Sequence, residues 1–350
     1  MRWKLSARPI AGKPSAAILE AVPGTDTHSR DQEHETLVSS CGLLDRSERG
    51  KLALRGTGAV EFLNGQVTNE LATLAPGEGC YAAFLTHKGK MLGDVRILAV
   101  GEDREAAPTE LLLDTERASL QALFDMIRRF KVGYEVELHK RTLECGLLSL
   151  IGPRALAILS AEAGEIVERE HAHRAIEIAS IPARAVRSDV GVDLLCAAAD
   201  TAALAAELRE RGAEDVGEQA AECVRIEHGR PRYGIDLDDS VIPQEAGLNE
   251  RAVSFTKGCY VGQETVARLH YKGKPNRHLR GLALSAPAAP GAELRLGERV
   301  VGQLTSSAVS PRLGPIGLAL VRREAELGST VSVDAGGISA EVLELPFSLD

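Results

Sequence analysis

Leu279-Arg280-Gly281-Leu282-Ala283-Leu284 is the first of a series of short alternating segments that closes the chain. Similar stretches follow at 293–296, 299–304, 317–321, 330–333 and 338–343, punctuated by Gly291, Gly297, Gly314, Gly328 and Gly336-Gly337. Short strands at this spacing, separated by turn residues, predict a small all-β barrel or sandwich. The turn-rich segment Lys272-Gly273-Lys274-Pro275-Asn276 precedes them and marks a boundary. Residues 275–350 therefore form a C-terminal all-β unit, a barrel or a sandwich, in this reading.

Upstream of that boundary helical and strand-like patterns mix. Lys51-Leu52-Ala53-Leu54-Arg55 alternates as a strand does, 56–64 suggests a short helix, and 81–86 with 91–100 suggest paired strands. Leu120, Leu123, Phe124, Ile127 and Phe130 recur at helical spacing, with Thr115 as the expected N-cap. Further helices are expected from Pro153 to Ala161, from Thr201 to a stop at Gly212, and from Glu218 to a stop at Gly229. No strict strand–helix–strand rhythm emerges, which points to the α+β class. Residues 38–274 are taken as this mixed region.

The N-terminal residues 1–37 are expected to be a flexible extension. Arg2, Lys4, Arg8 and Lys13 precede the first acidic residue, Glu20, a weak likeness to an organellar transit peptide, but a loose bacterial extension is the favoured reading. A cytoplasmic location is the expectation, or a mitochondrial one if the chain is eukaryotic.

Length and charge narrow the function classes. At 350 residues, roughly 150 per domain gives about two or three domains, enough to bury a sizeable core. The net charge of −9 argues against stable nucleic-acid binding. No apolar run approaches the roughly 20 residues of a membrane span. Six cysteines are present, but the nearest pair, Cys196 and Cys223, lies 27 residues apart, so no zinc-knuckle spacing exists and no metal site is expected. His171 and His173, the one close histidine pair, read as a solvated surface feature.

Three positions carry candidate chemistry. Asp94 follows Met91-Leu92-Gly93 at a turn before a strand; it is either a turn aspartate bonding its own backbone or a carboxylate facing a ligand. Glu227 sits near a helix end between apolar neighbours; it either pairs with Arg225 or Arg230, or offers two oxygens to a paired donor such as a pterin. Cys259 lies between glycines in Lys257-Gly258-Cys259-Tyr260-Val261-Gly262-Gln263-Glu264; it is either a buried inert thiol or an exposed, activated one. Arg268, His270, Lys272 and Lys274 form a basic run that reads as a solvated face or as an anion-attracting patch.

Taken together, that octapeptide, the stretch Arg225-Ile226-Glu227-His228-Gly229-Arg230-Pro231-Arg232-Tyr233-Gly234-Ile235-Asp236, the stretch Phe62-Leu63-Asn64-Gly65-Gln66-Val67-Thr68-Asn69 and the Lys88-Gly89-Lys90 turn resemble the YgfZ family. That family is related to the T-protein, the aminomethyltransferase of the glycine cleavage system, and the resemblance covers about residues 38–350. It implies two interleaved α+β subdomains and a C-terminal barrel around a central cleft. It also implies binding of tetrahydrofolate or a one-carbon derivative, with Glu227, Asp94, Tyr233 and Arg268 as binding residues and Cys259 and Asp94 as catalytic ones. Gly93 stands where the T-protein carries the first of two aspartates. The function implied is that of an accessory protein for iron–sulfur cluster assembly or repair, also labelled tRNA-modifying, acting with client or assembly proteins as a monomer. The resemblance leaves two further activities open, aminomethyl transfer in glycine cleavage and a folate-dependent demethylase.

Overall fold

A computed structural model describes residues 27–159, 169–334 and 337–348. The fold is α+β, with two sheets and a closed barrel. Strand β1 (Gly42–Asp45) enters one sheet, and the chain then leaves it for a second sheet made of β2 (Gly50–Arg55), β3 (Gly79–Leu85), β4 (Met91–Val100), β5 (Glu110–Thr115) and β6 (Glu137–Lys140). It returns as β7 (Cys145–Ile151), β8 (His173–Ile178), β9 (Ile181–Arg187), β10 (Gly191–Ala197) and β11 (Glu214–Asp215). The first sheet has the order β11-β1-β7-β10-β9-β8 and the second β3-β4-β5-β2-β6, so the two subdomains are interleaved.

The barrel comprises β12 (Arg277–Leu284), β13 (Glu293–Leu296), β14 (Arg299–Ser310), β15 (Gly314–Arg322), β16 (Thr330–Val333) and β17 (Ile338–Leu343). It closes in the order β12-β15-β14-β13-β16-β17, which leaves no free edge. Its interior is aliphatic, built on Leu282, Leu294, Leu304, Val331 and Val342. With aromatics at 3% of the chain, such branched residues must supply the core. Each one fully buried contributes about 1.5–3 kcal/mol.

Helix α2 (Ala59–Asn64) and helix α3 (Arg117–Phe130) cover the second sheet. Leu123 and Ile127 of α3 are fully buried, whereas Phe130, expected on the same face, is half exposed at the helix end. Thr115 is not the cap. It ends β5, its hydroxyl donates to the carbonyl of Asp94 at 2.5 Å and shares a hydrogen bond with Ser119, and Glu116 holds the cap position. Helix α4 (Ala155–Leu159) begins the segment expected from Pro153; residues 160 and 161 lie outside the described ones. Helices α5 (Thr201–Glu210) and α6 (Glu218–Glu227) end next to Gly212 and Gly229, both at positive φ.

One element departs from expectation. The flexible extension expected over 1–37 contains helix α1 (Thr27–Ser39), which packs on α6 and buries His34, Thr36 and Leu37. Residues 1–26, including the basic N-terminal run, lie outside the described ones. The basic run at 268–274 falls mostly on α8 (Gln263–Lys272), which follows the short α7 (Asn249–Ala252). Among the described residues no helix is long and apolar enough to cross a membrane.

Between α8 and β12 the chain is exposed at Lys272, Gly273, Lys274 and Asn276. Limited proteolysis of the full chain is expected to cut first there, since exposed inter-element segments are preferred nicking sites. First cuts inside the barrel strands would contradict that boundary.

Candidate functional site

A cleft runs between the two sheets and α6, as two adjoining chambers of about 200 and 190 Å³ that share Arg49, Tyr81, Asp94, Asp189 and Arg251. Small-molecule sites favour this position, between packed structural units. Asp94 sits on β4 and Tyr81 on β3, and the Tyr81 hydroxyl donates to Asp94 Oδ2 at 2.6 Å. Asp94 is 5% exposed. Burial pushes its pKa up to about 6, Glu116 adds to that rise, and the Tyr81 bond and Arg49 oppose it. The carboxyl therefore titrates close to neutrality, as acid–base or charge-stabilising groups in clefts do.

Why the neighbouring position is glycine is plain from the packing. A Cβ on Gly93 would lie 2.4 Å from Ser119 Cβ and 2.6 Å from Phe84 Cζ. Both residues lie within strand β4 rather than in the turn expected from the sequence, and only one carboxylate fits there.

Around the Asp94–Tyr81 pair stands a ring of paired charges. The Arg251 guanidinium lies over the Tyr81 ring at 4.9 Å and is held by Glu170. Arg49 bridges Asp114 and Glu116, and Arg232 bridges Glu116, Glu218 and Glu222. Arg225, also bonded to Glu222, reaches Asp236 at 2.8 Å, and Asp236 accepts hydroxyls of Thr305 and Ser306 from the barrel. These bonds fix α6 against the barrel and hold Glu222 at the cleft, with its carboxyl kept below the usual range by the two arginines despite burial. Sequence reading missed Glu222, Arg232, Arg251 and Glu116. Their arrangement comes from contacts between residues far apart in the chain.

His171 is a second residue misread. Both histidines of the 171/173 pair are buried rather than solvated. His173 accepts Arg184 and meets the Glu78 carbonyl, whereas neither nitrogen of His171 makes a hydrogen bond. Its ring lines the second chamber, 6.5 Å from the Tyr81 ring, on a backbone with φ of 68°. A non-glycine residue in that region stores strain, and such strain clusters at functional sites. Burial, with Arg96 and Arg251, pushes its pKa down to about 4 against the pull of Glu170. The imidazole is neutral at pH 7 and can both donate and accept.

The other predicted residues spread out. Glu227 does not line the cleft; it is 1% exposed, and its Oε1 accepts from His34 at 2.9 Å, Ser310 at 2.5 Å and the Cys223 thiol at 3.8 Å. Burial raises its pKa, but the His34 and Ser310 bonds outweigh that and hold it below the usual carboxylate range. Neither Arg225 nor Arg230 pairs with it: Arg225 turns to Glu222 and Asp236, and Arg230 to Asp189. Tyr233 is half buried beside the cleft, its phenol pushed up to about 12 by burial and by Asp239, Asp238 and Asp94. Arg268 is exposed on α8, away from the cleft lining.

Cys259 is the one exposed cysteine of the six. Its loop is tightly braced. Lys257 Nζ donates to four oxygens, the Asn64 carbonyl at 2.7 Å, Asn64 Oδ1 and the Val67 carbonyl at 2.9 Å, and the Asn69 carbonyl at 2.5 Å. The octapeptide and the 62–69 stretch, two separate motifs in the sequence, thus meet in space. Tyr260 is buried, and Gly262 adopts φ of 86° where a Cβ would lie 2.6 Å from the Thr86 carbonyl.

Known proteins align with this architecture over most of its length. Residues 23–257 match the GCVT N-terminal domain family and residues 277–348 the glycine cleavage T-protein C-terminal barrel domain. An aminomethyltransferase of Geobacillus kaustophilus is 30% identical over 334 residues, covering 90% of this chain and 89% of that protein. A chloroplastic protein of Arabidopsis thaliana, named as a transferase, is 29% identical over 89% of this chain and 73% of its own length. The crystal structure of glycine cleavage system aminomethyltransferase T from Bartonella henselae superposes with a TM-score of 0.80 at 27% identity, over 91% of this chain and 90% of that one. With a family match over more than half its length and the barrel beside it, the chain belongs to the glycine cleavage T-protein family.

Proposed function

We propose that the protein binds a reduced folate in the central cleft and transfers a one-carbon unit there, as a folate-dependent aminomethyltransferase. The observation that carries this reading is the buried Asp94, held by Tyr81 and titrating near pH 6 at the cleft wall. In its ionised form it supplies a fixed negative charge beside positive charge developing on the transferred carbon, the kind of stabilisation that water-excluding sites supply most strongly. His171, whose ring nitrogens make no hydrogen bond among the described residues, and the carboxylate of Glu222 meet the polar edge of a pterin, and the arginine-rich cleft suits the carboxylates of a glutamyl tail. Calorimetric titration of the full chain with tetrahydrofolate, followed by an aminomethyl-transfer assay, tests it. Saturable binding with transfer is expected; no binding would remove the reading.

A second reading, an accessory protein for iron–sulfur cluster assembly or repair, is favoured by Cys259 alone. This thiol is exposed on a rigid loop and takes no part in the cleft. The two readings part in cells. In a strain lacking the native gene, Cys259→Ser is expected to lose cluster-enzyme activity if the thiol serves clients, because a hydroxyl is a poor nucleophile and metal ligand beside a thiolate. Full rescue by Cys259→Ser with failure of Asp94→Asn leaves the transferase reading standing by itself.

A further inference from the structure

A chain of contacts leads from Glu170 to the carboxyl of Asp94. The Arg251 guanidinium lies 4.9 Å from the centroid of the Tyr81 ring, and the Tyr81 hydroxyl donates to Asp94 Oδ2 at 2.6 Å. Two nitrogens of the same guanidinium donate to the two oxygens of Glu170, Nε at 3.2 Å and Nη2 more closely. Paired bonds of this kind fix a guanidinium in orientation as well as position. Both ends of the ion pair are held in turn. The Thr68 hydroxyl and the Asn69 amide donate to the carbonyls of Ala252 and Arg251. Glu170 precedes His171, whose N–H bonds the Arg187 carbonyl on a backbone with φ of 68°. Glu170 thus reaches from the segment before β8, in the first sheet, to a ring on β3 of the second.

We propose that Arg251 is a positioning residue that acts on Asp94 through Tyr81: held on the ring by Glu170, it aims the phenol at the carboxylate and strengthens the hydrogen bond between them. The inference rests on the reading of Asp94 as the charged group of one-carbon transfer. A cation over an aromatic face is attracted to the ring electrons. It draws density from the phenol in return, so the O–H becomes a better donor to an ionised acceptor. Burial and Asp94 push the Tyr81 phenol well above its usual range, and Arg251 pulls the other way. A stronger bond to the charged form favours that form, so the carboxyl stays ionised to lower pH. The other charges that bear on this set are Arg49 and Glu116 at Asp94 and Asp189 at Arg251. His171 and Tyr233 are neutral neighbours at pH 7.

The test follows the Asp94 carboxyl signal by carbon-13 NMR as pH is varied in the full chain, with Asp94→Asn to identify it. Arg251→Met keeps the aliphatic stem and should move the titration up by about one pH unit. Glu170→Gln loosens the guanidinium without removing it and should move the titration the same way by less. In a Tyr81→Phe background the ring remains but the hydroxyl is gone, so Arg251→Met should add no further shift. Its loss of transfer should be about tenfold greater at about pH 5 than at about pH 8, since a higher titration leaves less ionised carboxyl in acid. The NMR titration needs no folate. A wild type that neither binds folate nor transfers would therefore remove the functional reading and leave this inference to be judged by the shifts. The inference is overturned if Arg251→Met leaves the titration in place, or if its shift is as large in Tyr81→Phe as in the wild type. Should Arg251→Met fail to fold, an unmoved titration in Glu170→Gln overturns it instead.

Discussion

Asp94→Asn is expected to lower one-carbon transfer by roughly 10²–10³-fold, the usual cost of removing a preorganised electrostatic group, while making the protein more stable at alkaline pH. The two effects share a cause. The pKa of this carboxyl rises from the usual 3.8 to about 6 because burial disfavours its charge. A group raised in the folded state stabilises the fold most below its unfolded pKa, and that contribution is lost as pH climbs through the folded one. Above pH 6 the protein thus carries a buried charge worth roughly 3 kcal/mol, from about two pH units at 1.36 kcal/mol each. Asparagine keeps an acceptor for Tyr81 but carries no charge, so at pH 8 the variant should be more stable by about 1–3 kcal/mol. At pH 4 the gain should vanish. Denaturation at both pH values, beside the transfer assay, checks the pair of outcomes. A variant that retains transfer, or that is less stable at pH 8, would falsify the placement of an ionised Asp94 at the heart of the site.

Lys257→Met is expected to cost on the order of 3–5 kcal/mol, the range for breaking a buried charged contact. Its ammonium is 7% exposed and serves four oxygens of the 62–69 stretch. Burial pushes its pKa down to about 8 against the pull of Glu70, which leaves the ammonium mostly charged at pH 7. Methionine fills the same length but takes the ammonium away from the carbonyls of Asn64, Val67 and Asn69, leaving only Asn64 Oδ1 its bond from the Leu71 N–H, and buried unsatisfied groups are expensive. The urea midpoint should drop sharply, and the Cys259 loop should become protease-sensitive. A variant as stable as the wild type would show that water replaces the ammonium. Lysine in this octapeptide is thus a clamp first, whatever its neighbour Cys259 does.

The barrel was legible because its signal is local: alternation and glycine turns give strands at 293–296, 330–333 and 338–343 to the residue. Helix ends at Gly212 and Gly229 were legible for the same reason. What could not be read depends on partners brought from afar. Helix α1 is too polar to show an apolar stripe, and a few residues, His34 and Leu37 among them, pin it to α6. His171 and His173 lie in a polar stretch, Arg169-Glu170-His171-Ala172-His173, that gives no hint of burial. They sink because His173 N–H bonds the Gly77 carbonyl and draws the segment against the second sheet. At the cleft, Asp94 stood out by its glycine turn, while Glu222 and Arg232 look like ordinary surface charges until Arg225, Glu116 and Glu218 close around them. Glu227 was recognisable as special; which side of α6 it faces was not.

Interleaving of the two sheets sets an order of events during synthesis. Strand β1 emerges first but must wait about 100 residues, while five strands of the other sheet are made, before its antiparallel neighbour β7 arrives. Until then its hydrogen-bonding edges are unmet, the condition in which nascent strands pair with the wrong chain. Closing so large a loop is slow, since non-local pairing must pay its chain entropy before any contact rewards it. Helix α6 must wait in its turn for Thr305 and Ser306, which anchor it through Asp236. The cleft is therefore among the last parts to be finished, and a ligand that fills it acts on a nearly complete chain.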